Sequence, residues 1–156
     1  MSTLKTEHIF VGSIESVFSG IRQFKKYPKY LPGVTGATIY PPTRKGSVLM
    51  ARFEIDMVKT FYYTLSFFET PPTKIWWDLE DSNLMAKNKG SWELSPKGPD
   101  KTLAIYTLES EFDSFIVDAL AGSMSESMMP SILEAFQKMI TDHAMAISAA
   151  DQKNRK

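Results

Sequence analysis

"FKKYPKYLPGV", residues 24–34, decides how this chain is read. Phe24, Tyr27, Tyr30, Leu31 and Val34 keep helical spacing, yet Pro28, Pro32 and Gly33 interrupt it. Immediately upstream, Ile14, Val17, Phe18, Ile21 and Phe24 form one apolar stripe behind Ser13, a good N-cap residue with Ser16 as its competitor. Proline disfavours helix in the residue before it, so the spacing predicts a first helix ending at Tyr27. Pro28 suits the first position of a second short helix or turn, which Pro32-Gly33 then closes. A broken helix this rich in aromatics is either a core plug or the rim of a cavity. Tyr27 reads as the plug; Tyr30 and Leu31 read as the rim.

The segments on either side are strand-like. Residues 5–11 alternate Thr6, His8 and Phe10 against Glu7, Ile9 and Val11. After Gly33 come TGATIYPP, SVLMARFEIDM, TFYYTLSFFE, KIWWDLE, MAKNKGSWELS and KTLAIYTLESEF, separated by short turns. In these, Leu49, Ala51, Phe53 and Ile55 share a face, as do Ile75, Trp77 and Leu79, and as do Ala86, Asn88, Gly90, Trp92 and Leu94. Closely spaced strands with short turns form an antiparallel meander. The last third changes period. Ile132, Phe136, Met139, Ile140, His143 and Ile147 predict a long amphipathic helix, and residues 113–129 are helical too, with Pro130 as a kink or a fresh start. The layout is α+β: strand, two short helices, strand meander, long helix. One domain is expected over residues 1–150, with a frayed polar tail at 151–156. A sheet wrapped around one helix is expected to leave a cavity between them.

Composition narrows the function. Lys+Arg and Asp+Glu are 18 each, so no overall field concentrates nucleic acid, and a nucleic-acid partner is not expected. With no cysteine, disulfides, zinc thiolates and cysteine nucleophiles are excluded. Two histidines, His8 and His143, are too few for a histidine-rich metal centre, and no metal or cofactor is expected. The first residues lack signal-peptide character, and no apolar run reaches the length of a membrane span, so a cytoplasmic location is the expectation.

No nucleophile elbow, phosphate loop or zincin motif is present. Glu54, Asp56, Glu80 and Glu93 fall on strand faces that read as solvated. Asn88 shares its face with Trp92 and Leu94, and is either a structural amide or a ligand-orienting group. His143, Tyr63 and Tyr106 are the candidates for acid–base work, each with a packing role as the alternative. Met124, Met128, Met129, Met139 and Met145 cluster near the terminal helix and fit a deformable apolar wall as well as an ordinary core. Tyr62, Phe68 and Trp76 fall opposite Tyr63, Phe67 and Trp77, so one set faces away from the core and is a candidate protein or homodimer surface.

YPKYLPGV (27–34) resembles the Y-P-x-[FY]-L-P-[GWF] signature of the polyketide cyclase / coenzyme Q-binding group of the START-like, helix-grip superfamily. GSWEL (90–94) is similar to its G-x-W-x-[FL] strand, with Pro96 following, and PSILEAFQKMITDHA (130–144) resembles its terminal helix, including Ala135-Phe136. The chain departs from the group at DSNLMAKNKG and at Lys138-Met139. The resemblance implies a curved seven-stranded antiparallel sheet gripping a long C-terminal helix, and apolar ligands such as quinones, lipids or polyketides. The pocket expected on that plan is lined by Phe18, Phe24, Tyr30, Leu31, Phe53, Tyr63, Phe67, Trp77, Asn88, Trp92, Tyr106, Met128, Ile132, Phe136 and Met139. A carrier or chaperone of a hydrophobic small molecule is the leading reading. An aromatase/cyclase or dehydratase, and a ribosome-associating regulator, are the alternatives.

Overall fold

Ser13 ends the first strand and starts the first helix: its hydroxyl accepts from the Ser16 amide at 3.2 Å. The computed structural model describes residues 2–57 and 59–154, and side chains within these except at 122–125 and 153–154. In chain order the elements are β1 (Ser2–Val11), α1 (Ile14–Ile21), a 3-10 turn (Phe24–Lys26), α2 (Tyr27–Tyr30), β2 (Val34–Tyr40), β3 (Leu49–Asp56), β4 (Thr60–Thr70), β5 (Lys74–Ser82), β6 (Met85–Pro96), β7 (Lys101–Phe112) and α3 (Phe115–Asn154). The strands form one antiparallel sheet in the order β1-β7-β6-β5-β4-β3-β2. The fold is therefore α+β, a seven-stranded sheet with a long C-terminal helix, as the resemblance implied.

The first helix is shorter than its spacing predicts. It stops at Ile21, because Gln23 leaves helical geometry at φ −78°, ψ 59°. The break is held by side chains. The Gln23 amide donates to the Ser19 carbonyl at 3.0 Å, and the buried Tyr27 hydroxyl donates to the Ile21 carbonyl at 2.6 Å. Tyr27 thus satisfies a helix-end carbonyl that would otherwise be buried without a donor. The turn drives Phe24 and Tyr27 into the core, where Phe24 stacks on Phe67 (4.2 Å) and Tyr27 on Phe53 (5.4 Å). Gly33, at φ +82°, then reverses the chain into β2, in backbone geometry that a side chain would strain.

α3 is one helix of 40 residues with Pro130 inside it. It is helical through Asn154, four residues into the polar tail expected at 151–156, whose last two residues lie outside the described ones. Its grip is uneven. Met129, Leu133, Phe136, Met139 and Ile140 are buried, whereas Phe115, Ile116 and Leu120 are exposed. Ile147, placed on the buried stripe by its spacing, is exposed, as is Met145, because the sheet and α1 cover only the middle of the helix. α1 crosses α3 at Gly20, whose missing side chain admits Ile140. No helix among the described residues is long and apolar enough to cross a membrane.

Tyr27→Phe removes the phenol from the Ile21 carbonyl while keeping the ring. Urea unfolding of this variant is expected to show a loss of about 1–2 kcal/mol at unchanged m-value. Unchanged stability would show that the phenol does not hold the break.

Candidate functional site

Between the sheet, α2 and the middle of α3 lies a cavity of about 210 Å³. That is comparable with the ~150 Å³ apolar cavity that admits benzene, so it holds a ring with a few further atoms. Each wall follows from the strand alternation. β3 contributes Phe53 and Ile55, β4 Phe61, Tyr63, Leu65 and Phe67, β5 Ile75 and Trp77, β6 Met85, Asn88 and Trp92, and β7 Tyr106, Leu108, Ser110 and Phe112. Ile21, Phe24, Tyr27, Leu31, Pro32 and Val34 close one side, and Ile132 and Phe136 of α3 the other. Exposed Pro32 and half-buried Leu31, Met57, Phe112 and Ile132 mark the opening.

Eleven of the expected lining residues meet here: Phe24, Leu31, Phe53, Tyr63, Phe67, Trp77, Asn88, Trp92, Tyr106, Ile132 and Phe136. Phe18, Tyr30, Met128 and Met139 do not line it. Met139 is fully buried behind the cavity, Phe18 packs in the core on α1, and half-buried Met128 lies before the gripped part of α3. Tyr30 turns away, its hydroxyl donating to Asp142 Oδ2 at 2.8 Å. The Met-lined helix wall is replaced by Met57 and Met85 from the sheet side, and the side chain of Met124 lies outside the described residues. Strict alternation missed Met85 because a register shift between Met85 and Lys87 turns Met85 inward and Ala86 outward.

The polar groups of the cavity are few, and none is charged among the described lining residues. The Trp77 indole Nε1–H donates to Asn88 Oδ1 at 3.0 Å. This reach exists because Gly90 is registered opposite Trp77: a Cβ on Gly90 would lie 2.4 Å from the indole. That bond uses one of the two lone pairs of the Asn88 oxygen, and among the described residues its NH2 meets only the thioether of Met85 at 3.7 Å, a weak acceptor. The hydroxyls of Tyr63, Tyr106 and Ser110 make no hydrogen bond with any described residue. All three residues line the cavity, and none of the three hydroxyls is fully enclosed. Burial pushes the Tyr63 phenol up to about 12. Tyr106 is pushed up as well, by burial and then by the neighbouring Tyr63 phenol, and Tyr27 by burial and then by both. At neutral pH all three are neutral donors, and among the described lining residues none carries a charge.

His143 lies outside this constellation. Its Nε2 is 2.9 Å from Ser19 Oγ, in the seam between α1 and α3. Loss of hydration lowers its pKa, with a further contribution from Lys26. On the far face of the sheet, Arg52 lies over Tyr62 (3.9 Å), Trp76 stacks on Phe68 (5.6 Å), and Lys74 lies over Trp76 (5.0 Å). Glu80, expected to be a solvated carboxylate, is partly buried there: it accepts from Ser66 at 2.6 Å and pairs with Arg44, which also binds Asp78.

A histidine whose folded pKa lies below its unfolded value binds fewer protons folded than unfolded. Its contribution to stability is present above about pH 6.5 and lost as the pH falls through the folded value. The melting temperature is therefore expected to drop on acidification, and to drop less in His143→Gln, which keeps a partner for Ser19. Equal slopes would remove His143 from the pH response.

Comparison with known proteins agrees with the geometry. The family model described as polyketide cyclase / dehydrase and lipid transport matches residues 12–137. A START superfamily protein from Mycobacterium smegmatis superposes with a TM-score of 0.78 at 16% identity, covering 91% of this chain and 99% of its own. The Zhui aromatase/cyclase of a Streptomyces species gives 0.77 at 11% identity, covering 91% and 94%. Norcoclaurine synthase from Thalictrum flavum, in complex with dopamine and hydroxybenzaldehyde, gives 0.64 at 13%, covering 91% and 87%. No curated protein matches the chain in sequence. The match over most of its length, on this sheet and helix, shows that the chain belongs to the polyketide cyclase / dehydrase and lipid transport family.

Proposed function

We propose that the protein is a carrier or chaperone for an uncharged, ring-containing hydrophobic molecule that bears hydrogen-bond acceptors such as carbonyl or ether oxygens. One observation carries this reading: the cavity offers four donor groups, on Tyr63, Tyr106, Ser110 and Asn88, within an apolar lining that has no charged side chain. An anionic ligand would lose its hydration with no cation to meet it, and a cation would find no carboxylate. A ligand with acceptor oxygens satisfies the donors, and its apolar surface is worth about 25 cal/mol per Å² when buried. The cavity volume fits a one- or two-ring compound, and the norcoclaurine synthase complex supports that scale.

A cyclase or dehydratase needs a group that takes a proton. Tyr63 and Tyr106, held neutral by burial, donate to a carbonyl and do not abstract a proton near pH 7. His143 is engaged with Ser19, away from the lining. This chemistry favours binding over catalysis.

Quenching of Trp77 and Trp92 fluorescence tests the reading with three probes of similar size: tetralone, naphthalene and naphthoate. Tetralone is expected to bind roughly tenfold more tightly than naphthalene, the value of one to two hydrogen bonds, with naphthoate weakest. Tyr106→Phe should weaken tetralone and leave naphthalene unchanged. Affinity should be flat between about pH 5 and pH 9, where no lining group titrates. Tightest binding by naphthoate, or no saturable binding by any probe, would refute the proposal.

A further inference from the structure

The two edges of the sheet are not alike. β2 is short, carries a register shift between Val34 and Gly36, and runs into Pro41-Pro42, all of which blunt an edge. β1 has ten residues, no proline and an unbroken register with β7. Among the described residues its far side bears no strand. The hydrogen-bond pattern tells which groups face that open side. Gly12 N–H points inward, to the Asp100 carbonyl. Val11 points outward, and both its groups are taken by one side chain: its N–H donates to Gln137 Oε1 at 2.8 Å, and Gln137 Nε2 donates to its carbonyl at 3.0 Å. In an antiparallel ladder this alternates with period two, so Ile9, Glu7, Lys5 and Thr3 also turn their N–H and C=O groups to the open edge.

We propose that this edge pairs with the same edge of a second copy, antiparallel about a two-fold axis at Thr6, joining two sheets into one. The sequence TLKTEHI (3–9) is self-complementary in that register. Lys5 stands opposite the second copy's Glu7, and Glu7 opposite its Lys5, both on the exposed outer face. Thr3 meets the second copy's Ile9, covering an isoleucine that is 51% exposed in the single chain. On the inner face, half-buried Leu4 meets the second copy's His8. All the outward-facing residues from Thr3 to Ile9 fall into hydrogen-bonded pairs, giving about eight new main-chain hydrogen bonds. The neighbouring registers fail. Moving the axis to Lys5 sets lysine against lysine, and moving it to Glu7 sets glutamate against glutamate, each of which is destabilising. Registers displaced further toward Val11 collide with the Gln137 clamp. The outer face of the sheet is a weaker candidate for the same role, since its aromatics already carry Arg52, Lys74 and each other.

Light scattering coupled to size-exclusion chromatography over a dilution series tests the proposal. The expected species is twice the 17.6 kDa chain mass. Lys5→Glu and Glu7→Lys, each alone, should raise the dimer dissociation constant about tenfold or more by turning two opposite-charge pairs into two like-charge pairs. The double swap should restore the dimer. Both positions are exposed, and an unchanged melting temperature for the dilute monomer confirms that the variants fold. In hydrogen exchange, the Lys5, Glu7 and Ile9 amides should be protected in the dimer and open in the single variants. A monomer at every concentration, single variants that dimerise like the parent, or a double swap that stays monomeric would each overturn the proposal.

Discussion

The contact on which the site depends is the one between the Trp77 indole and the bare backbone of Gly90. These residues face each other across β5 and β6, and the absence of a side chain at Gly90 lets the indole cross the strand and reach Asn88. The bond formed there orients more than the tryptophan. It holds the amide oxygen of Asn88 toward the indole and leaves the NH2 beside Met85, which also lines the cavity. One of the oxygen's two lone pairs is used, and the NH2 is left with a weak acceptor. The glycine and the tryptophan of the GSWEL strand then have distinct physical tasks: Gly90 makes room for Trp77, while Trp92 packs on Phe10, Tyr106 and Phe136.

The broken helix serves the same cavity from the other side. A continuous helix from Ile14 to Tyr27 would carry Phe24 and Tyr27 along its axis. The break after Ile21, tied by the Tyr27 phenol, lets both rings fold under and stack on β3 and β4. Leu31 and Pro32 are thereby left at the opening. The rings rest on strands and the helix-end carbonyl is satisfied, so the segment is packed rather than loose. The sticky stretch between residues 24 and 34 is wall, cap and rim in succession.

Much of this was legible in the sequence because it rests on period. Alternation in β3, β5 and β6 put Phe53, Trp77, Asn88 and Trp92 on largely apolar faces, and all four line the cavity; in β4 it left open which aromatic set turns inward, and Tyr63 and Phe67 are the ones in the lining. What alternation cannot carry is a change of phase: the shift at Met85 exchanged Ala86 for Met85 in the wall. Long-range partners are equally silent. Nothing near Tyr30 announces Asp142, a residue 112 positions away that draws its hydroxyl off the rim. Helical spacing put His143 and Ile147 on the apolar stripe of α3, but a stripe does not say where its cover stops. α1 covers His143 through Ser19, and nothing comparable covers Ile147. The register that gives Gly90 its purpose was likewise invisible, although the glycine itself stood out in the motif.

Within the family fold, the proposed specificity of this site rests on its uncharged polar groups. On the reading proposed above, the apolar walls set ligand size, while the hydroxyl and amide groups, with no charged side chain among the described lining residues, set ligand chemistry. The most direct measurement is native mass spectrometry of the protein purified from its own host, followed by extraction and identification of what it carries. The prediction is one neutral, ring-containing compound with carbonyl or ether oxygens per chain. An anionic acyl chain or a cationic amine, bound stoichiometrically, would contradict the account.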